Sequence, residues 1–151
     1  MKEPLVSRIL KYALYVTFVV GIIMTLTLPL TIDTYARIIA SGTFTASYRA
    51  FILPFLMIVA VPCLWIVLEM IGMMRSIPSG PFVMRNVRAL NRIGFIFFIL
   101  TAAFFVKCLF FLTFLTLACT FFFIGSGLFA LTLAALIRQS VAFREENDLT
   151  I

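Results

Sequence analysis

The chain has 151 residues, of which 64% are hydrophobic and 12% charged, and its mean hydropathy is +1.18. Soluble domains carry about 25% charged residues, so this chain has too little polar surface to cover a domain in water, and its composition places it in a bilayer. It has no His, and between its two ends the only acidic residues are Asp33 and Glu69, which leaves few parts for acid–base or metal chemistry.

The hydrocarbon layer is about 30 Å thick and a helix rises 1.5 Å per residue, so a span needs about 20 apolar residues. After Lys2, Arg8 and Lys11, the 21 residues from Tyr12 to Ile32 carry no charge and form the first predicted span, 12–32. A cleaved signal peptide is the rival reading. Its apolar region would run about 7 to 15 residues and end at a small-x-small site, whereas this run is longer and ends in Leu-Pro-Leu-Thr-Ile-Asp. A retained signal anchor is therefore expected. The outer loop that follows holds Asp33 and Arg37 at helical i, i+4 spacing, with Tyr35, Phe44 and Tyr48 as interfacial aromatics.

The second predicted span, 50–74, opens with 19 charge-free residues from Ala50 to Leu68 and contains Pro54 and Pro62, which free backbone carbonyls and favour a kink. Glu69 is the one acidic side chain inside a predicted span. Ionisable groups at such positions are functional candidates because lipid disfavours them. Glu69 stands fewer than two turns from Arg75, so two readings stay open: an interfacial charge paired with an inner-face arginine such as Arg92 or Arg138, which is preferred, or a proton or ion site.

A loop over 75–92 begins Arg75-Ser76-Ile77-Pro78-Ser79-Gly80-Pro81, a helix stop followed by a proline suited to a new first turn. Beyond it Arg85, Arg88 and Arg92 share one sector, while Val83, Val87, Leu90 and Gly94 occupy another. An amphipathic helix at the headgroups, attracting anionic lipid, is expected. Simple positive-inside anchoring is preferred over a specific partner site, although Asn86 and Asn91 add hydrogen-bonding capacity that anchoring does not need.

The 45 residues from Ile93 to Ile137 are broken only by Lys107, which predicts two more spans, 93–112 and 115–137. No Gly or Pro marks the turn between them. It falls between Lys107 and Leu117, around Leu112 to Phe114. Lys107 is expected to extend its stem outward to the headgroups. In the fourth span Ser126, Ala130 and Ala134 repeat every four residues beside Gly125 and Gly127, a smooth stripe for close helix packing. Packing within the chain's own bundle is preferred over a homo-oligomer interface. The tail, 138–151, concentrates Glu145, Glu146 and Asp148 before an apolar end; these carboxylates are candidate partner contacts and the apolar end a candidate docking segment, although a solvated tail is the preferred reading.

Basic loops stay cytoplasmic. Nine of the twelve basic residues fall on the N-terminal, middle-loop and C-terminal segments, so both termini are expected in the cytoplasm. The net charge of +6 then reflects topology and contact with anionic lipid headgroups, and direct nucleic-acid binding is not expected. Cys63, Cys108 and Cys119 are odd in number and lie in or beside apolar spans, so they read as small buried hydrophobes rather than disulfide partners, nucleophiles or zinc ligands. Asp33 and Glu69 lie at opposite faces and form no catalytic dyad. Neither an enzyme nor a cofactor is expected, and only an intramembrane serine or threonine mechanism stays open.

The turn Gly80-Pro81-Phe82-Val83, then Asn86-Val87-Arg88 and Leu90-Asn91-Arg92-Ile93-Gly94, and the terminal Glu146-Asn147-Asp148-Leu149-Thr150-Ile151 resemble the bacterial domain-of-unknown-function family twenty-nine seventy-five, over essentially the whole chain. The resemblance implies a small four-span protein of the bacterial cytoplasmic membrane. It also suggests a small helix-turn-helix regulator as neighbour and partner, and it assigns no catalytic residue. The expected fold is thus a single all-α integral membrane four-helix bundle. Its leading functional reading is a non-enzymatic protein that binds or modulates a cytoplasmic regulator through its inner face. The alternative is a small transporter, channel or immunity protein acting on an ion, lipid or membrane-active peptide through Glu69 and the proline-bearing span.

Overall fold

A computed structural model of the protein describes residues 5–39, 46–75 and 83–148. The side chains of residues 33, 35–39, 46–49, 145 and 148 lie outside the described residues, and so do the readings made above for Asp33, Tyr35, Arg37, Phe44, Tyr48, the loop 76–82 and residues 149–151. Four helices account for the described chain: α1 Leu5–Ile39, α2 Ala46–Met74, α3 Met84–Phe110 and α4 Phe114–Asp148. No strand occurs among the described residues, and each helix contains a stretch long and apolar enough to cross a membrane.

Large apolar side chains point outward along all four helices, among them Val16, Ile23, Ile58, Phe95, Phe105 and Phe129. Such a surface would aggregate in water and is matched to lipid. The hydroxyls in the spans are satisfied locally: Thr17 donates to the Ala13 carbonyl at 2.8 Å, Thr25 to Gly21 at 2.8 Å, Thr101 to Phe97 at 2.9 Å and Thr132 to Leu128 at 2.9 Å. Where no water is present, bonds back to the preceding turn remove the cost of an unmet hydroxyl. Helix α1 runs through Pro29 and α2 through Pro54 and Pro62.

Consecutive helices pack antiparallel. Arg75 at the end of α2 donates to the Tyr15 hydroxyl near the start of α1 at 3.0 Å. Phe55 of α2 meets Phe104 of α3 edge-on, with ring centroids 5.3 Å apart, and Phe104 in turn meets Phe123 of α4 at 5.1 Å. The most extensive interface is between α3 and α4, and its centre is a pair of glycines. A Cβ on Gly127 would stand 3.3 Å from the Phe97 Cβ and 3.4 Å from the Gly94 carbonyl oxygen, while one on Gly94 would meet Leu131 at 2.8 Å and the Gly127 carbonyl oxygen at 3.3 Å. The two backbones touch here because neither residue has a side chain.

Two helix ends refine the sequence expectation. Helix α3 starts at Met84, so the helix expected to carry the arginines and lead into the third span is present, but its first turns pack on the bundle instead of lying on the headgroups. The cause is apolar: Val87 and Leu90 form a buried cluster with Ala134 of α4, flanked by Met73, Leu133 and Ile137, which holds these turns against the bundle. Helix α4 likewise continues to Asp148, so residues 138–148 extend the helix. The turn between α3 and α4 occupies residues 111–113. Thr113 marks it, with its hydroxyl accepting a 3.3 Å bond from the Thr116 amide, the N-cap arrangement that satisfies an otherwise orphaned donor.

Replacing Gly94 with Val should destabilise the α3–α4 hairpin by about 1–3 kcal/mol through overpacking, read as a lower midpoint in thermal unfolding of the protein in detergent micelles. Gly125→Ala, whose Cβ would meet nothing within 4 Å, should leave the midpoint unchanged.

Candidate functional site

The antiparallel order gathers the helix ends bearing Arg8, Lys11, Arg75, Arg85, Arg88, Arg92, Arg138 and Arg144 at one end of the bundle. Glu69 is placed there. Its Oε1 lies 2.9 Å from Arg92 Nη1 and accepts a 3.3 Å bond from Trp65 Nε1, one turn earlier on α2. The Glu69 side chain is only 13% exposed and that of Arg92 is 59% exposed. The carboxylate is thus covered while its partner reaches the surface, an arrangement that ties α2 to α3 near the arginine-bearing end of the bundle. Of the two arginines considered as partners, the bond is made by Arg92. Arg85 and Arg88 are exposed on the outer side of α3, whereas Asn86 beside them is 4% exposed.

Lys107, at the other end, corrects the sequence expectation. Instead of reaching out to the headgroups it is 8% exposed, donates to the Thr116 hydroxyl at 2.9 Å and stands 5.5 Å from the centroid of the Phe55 ring. The physical reason is helix polarity. Cα–Cβ bonds tilt toward a helix's N-terminus, so a side chain in the last turn of α3 leans toward the bilayer interior. The α3–α4 turn then places Thr113 and Thr116, whose hydroxyls are 2.6 Å apart, where they receive it. A cation beside the last carbonyls of a helix is also favoured by the helix dipole. Thr120 continues the polar row, donating to the Thr116 carbonyl at 2.9 Å and lying 3.9 Å from Cys108 Sγ.

Along the small-residue stripe Ala130 and Ala134 are buried. Ser126, the neighbouring Gly125 and Ala130 line an open groove of about 650 Å³ between α2, α3 and α4, whose walls include Ile66, Met70, Phe97 and Phe129. Cys63, Cys108 and Cys119 are half-buried and free. Glu146 is exposed on the extension of α4, while the side chains of Glu145 and Asp148 lie outside the described residues. The sequence reading missed the Gly94–Gly127 contact and the Lys107–Thr116 bond. Each had a signal: a glycine in each of two adjoining spans, Gly94 near the start of one and Gly127 in the middle of the other, and a Thr-x-x-Thr, Thr113 to Thr116, within the turn window.

Thr116→Val should destabilise the protein by about 1–3 kcal/mol, because it leaves the Lys107 ammonium without its hydroxyl partner. Lys107→Met, which replaces the charge with an apolar side chain of similar length, should be neutral or stabilising. Thermal midpoints of the two variants and their combination in micelles check the pair. A double-mutant cycle between Glu69→Gln and Arg92→Gln should give a coupling of about 0.5–1 kcal/mol, as expected for a pair with one partner at the surface.

No curated protein and no solved structure matches the chain. The family model described as "Protein of unknown function (DUF2975)" matches residues 9–151, nearly the whole length and all four helices. The chain is a multi-pass membrane protein and belongs to the DUF2975 family.

Proposed function

We propose that this protein is a non-enzymatic anchor of the bacterial cytoplasmic membrane, with both termini and the α2–α3 connection inside, whose inner face binds or modulates a cytoplasmic helix-turn-helix regulator. The supporting observation is the projection of α4. Ala134 packs level with Val87 and Leu90 near the start of α3, and α4 runs on to Asp148, about 21 Å further along the axis. These turns present Arg138, Arg144, Phe143 and Glu146 to the surroundings. A mixed-charge helix with an exposed aromatic offers a soluble partner both steering charge and an apolar anchor. The arginine-rich ends of the other helices lie at the same end of the bundle and match the side on which basic residues are retained.

The transport reading draws less support from the same geometry. Glu69 is engaged by Arg92 and Trp65, and the groove between α2, α3 and α4 is lined by apolar side chains apart from Ser126.

With the intact chain purified from its native membrane, the regulator should co-purify. Deleting residues 139–151 should reduce its recovery by about tenfold or more while the truncated protein stays in the membrane. Unchanged recovery, or unchanged expression of the regulator's targets, would sink the role assigned to α4. Orientation is checked separately: in a cysteine-free background, Ser140→Cys should react with an impermeant maleimide only after the membrane is opened, and Ser41→Cys should react in intact cells.

A further inference from the structure

The register of α3 on α4 can be followed from one end of the hairpin to the other. Ile137 packs against the cluster that holds Leu90, Phe97 and Ala130 line the same groove, and Phe104 meets Phe123 at 5.1 Å. At each step α3 advances seven residues and α4 retreats seven, the spacing at which the same faces of two packed helices meet again. A step of four residues reaches the next layer on the same face. From Phe104 and Phe123 that step arrives at Cys108 and Cys119, which therefore stand across from each other one turn nearer the end of the hairpin. Two further observations place the sulfurs. That of Cys108 is 3.9 Å from the hydroxyl of Thr120, the residue next to Cys119, and both Cys108 and Cys119 lie within electrostatic reach of the Lys107 ammonium. Both thiols are half-buried and free. Cys63 is elsewhere: it is eight residues along α2 from Phe55, whose ring faces Lys107, and so about 12 Å away along the axis.

We propose that Cys108 and Cys119 are a disulfide-forming pair, joined in the native membrane by exchange with a disulfide-bearing carrier. A disulfide spans only a short Cβ–Cβ distance. The two helices are held close on both sides of this layer, by the backbone contact at Gly94 and Gly127 on one side and by the turn at residues 111–113 on the other. In the exchange the Cys108 thiol gives up its proton and its sulfur attacks the carrier's disulfide, releasing one carrier sulfur as thiolate. The deprotonated Cys119 sulfur then attacks the Cys108 sulfur of the mixed disulfide and releases the second. Two protons pass to the released sulfurs, so the protein loses two electrons and the carrier leaves as its dithiol. Closed around the turn, the bond fastens the same helix ends that the Lys107–Thr116 hydrogen bond holds. The inference rests on the orientation proposed above, which puts the end of α3 on the outer side of the membrane, where bacterial disulfides form and persist. It requires no cytoplasmic regulator.

The third thiol, Cys63, serves as an internal control. Native membranes are quenched in acid, denatured and labelled with a maleimide carrying a polymer tag, so that each free thiol adds one step on a gel. Without reduction the chain should take up one tag, on Cys63, and after reduction three. Cys63→Ser should take up none before reduction and two after, whereas Cys108→Ser or Cys119→Ser should take up two in both cases. Three tags on the unreduced wild-type chain would overturn the proposal. So would failure of the purified full-length protein in micelles to form the bond with copper phenanthroline, read as the loss of two hydrogens in the intact mass; that result contradicts the register itself, whichever way the protein faces. A pair that joins in micelles but is free in the native membrane also overturns it, and the Ser41→Cys labelling described above then separates a fault in the orientation from a fault in the pair.

Discussion

The contact of two bare backbones at Gly94 and Gly127 governs the arrangement of the other parts. Lipid tails are as apolar as leucine, so helices in a bilayer are held together by close packing rather than by escape from water. The glycine pair gives α3 and α4 that closeness. Because α4 lies so tightly along α3, the register of the hairpin is fixed along its length: Thr116 falls opposite Lys107, Phe123 opposite Phe104, and Ala134 opposite Val87. Helix α2 meets α3 through different devices, the Glu69–Arg92 pair at one end and the phenylalanine contacts at the other. The wedge left between α2 and α4 is the groove.

The two ends treat charge in opposite ways, and helix direction explains the contrast. Arg85, Arg88 and Arg92 sit in the first turns of α3, where side chains lean out of the bilayer, and they are exposed. Lys107 sits in the last turns of the same helix, where side chains lean inward, and it is covered by hydroxyls and an aromatic ring. The exposed end presents its guanidinium groups to the surroundings. At the covered end the lysine's role is architectural: it clasps the start of α4 to the end of α3.

Much of this was legible beforehand. The charge-free runs from Tyr12 to Ile32 and Ala50 to Leu68, and the single interruption at Lys107, announce four helices because lipid excludes charge from long segments. The turn at residues 111–113 falls inside the window from Lys107 to Leu117. Helix ends were less legible. Hydropathy registers where a chain leaves the hydrocarbon, not where its hydrogen bonds stop, so the turns from Arg138 to Asp148 read as a tail although they are helical, whereas the helix from Met84 to Arg92 was expected from its arginine spacing and the proline turn before it. Partners across helices were least legible. That Glu69 meets Arg92 was among the options read from the residues, but the fate of Lys107 depended on helix polarity together with a turn whose only mark was Thr113.

The mainly sequential packing among the described residues, α1 on α2, α2 on α3 and α3 on α4, bears on how the protein is made. Each helix emerging into the bilayer finds its main neighbour in the one just before it, and no early helix must wait for a distant one. The α3–α4 turn is three residues long and Thr113 caps the new helix as it starts, so the last two spans are suited to enter the membrane together as one hairpin. Such nearest-neighbour wiring keeps contacts local in sequence, the condition under which chains assemble fastest and expose least unfinished surface on the way.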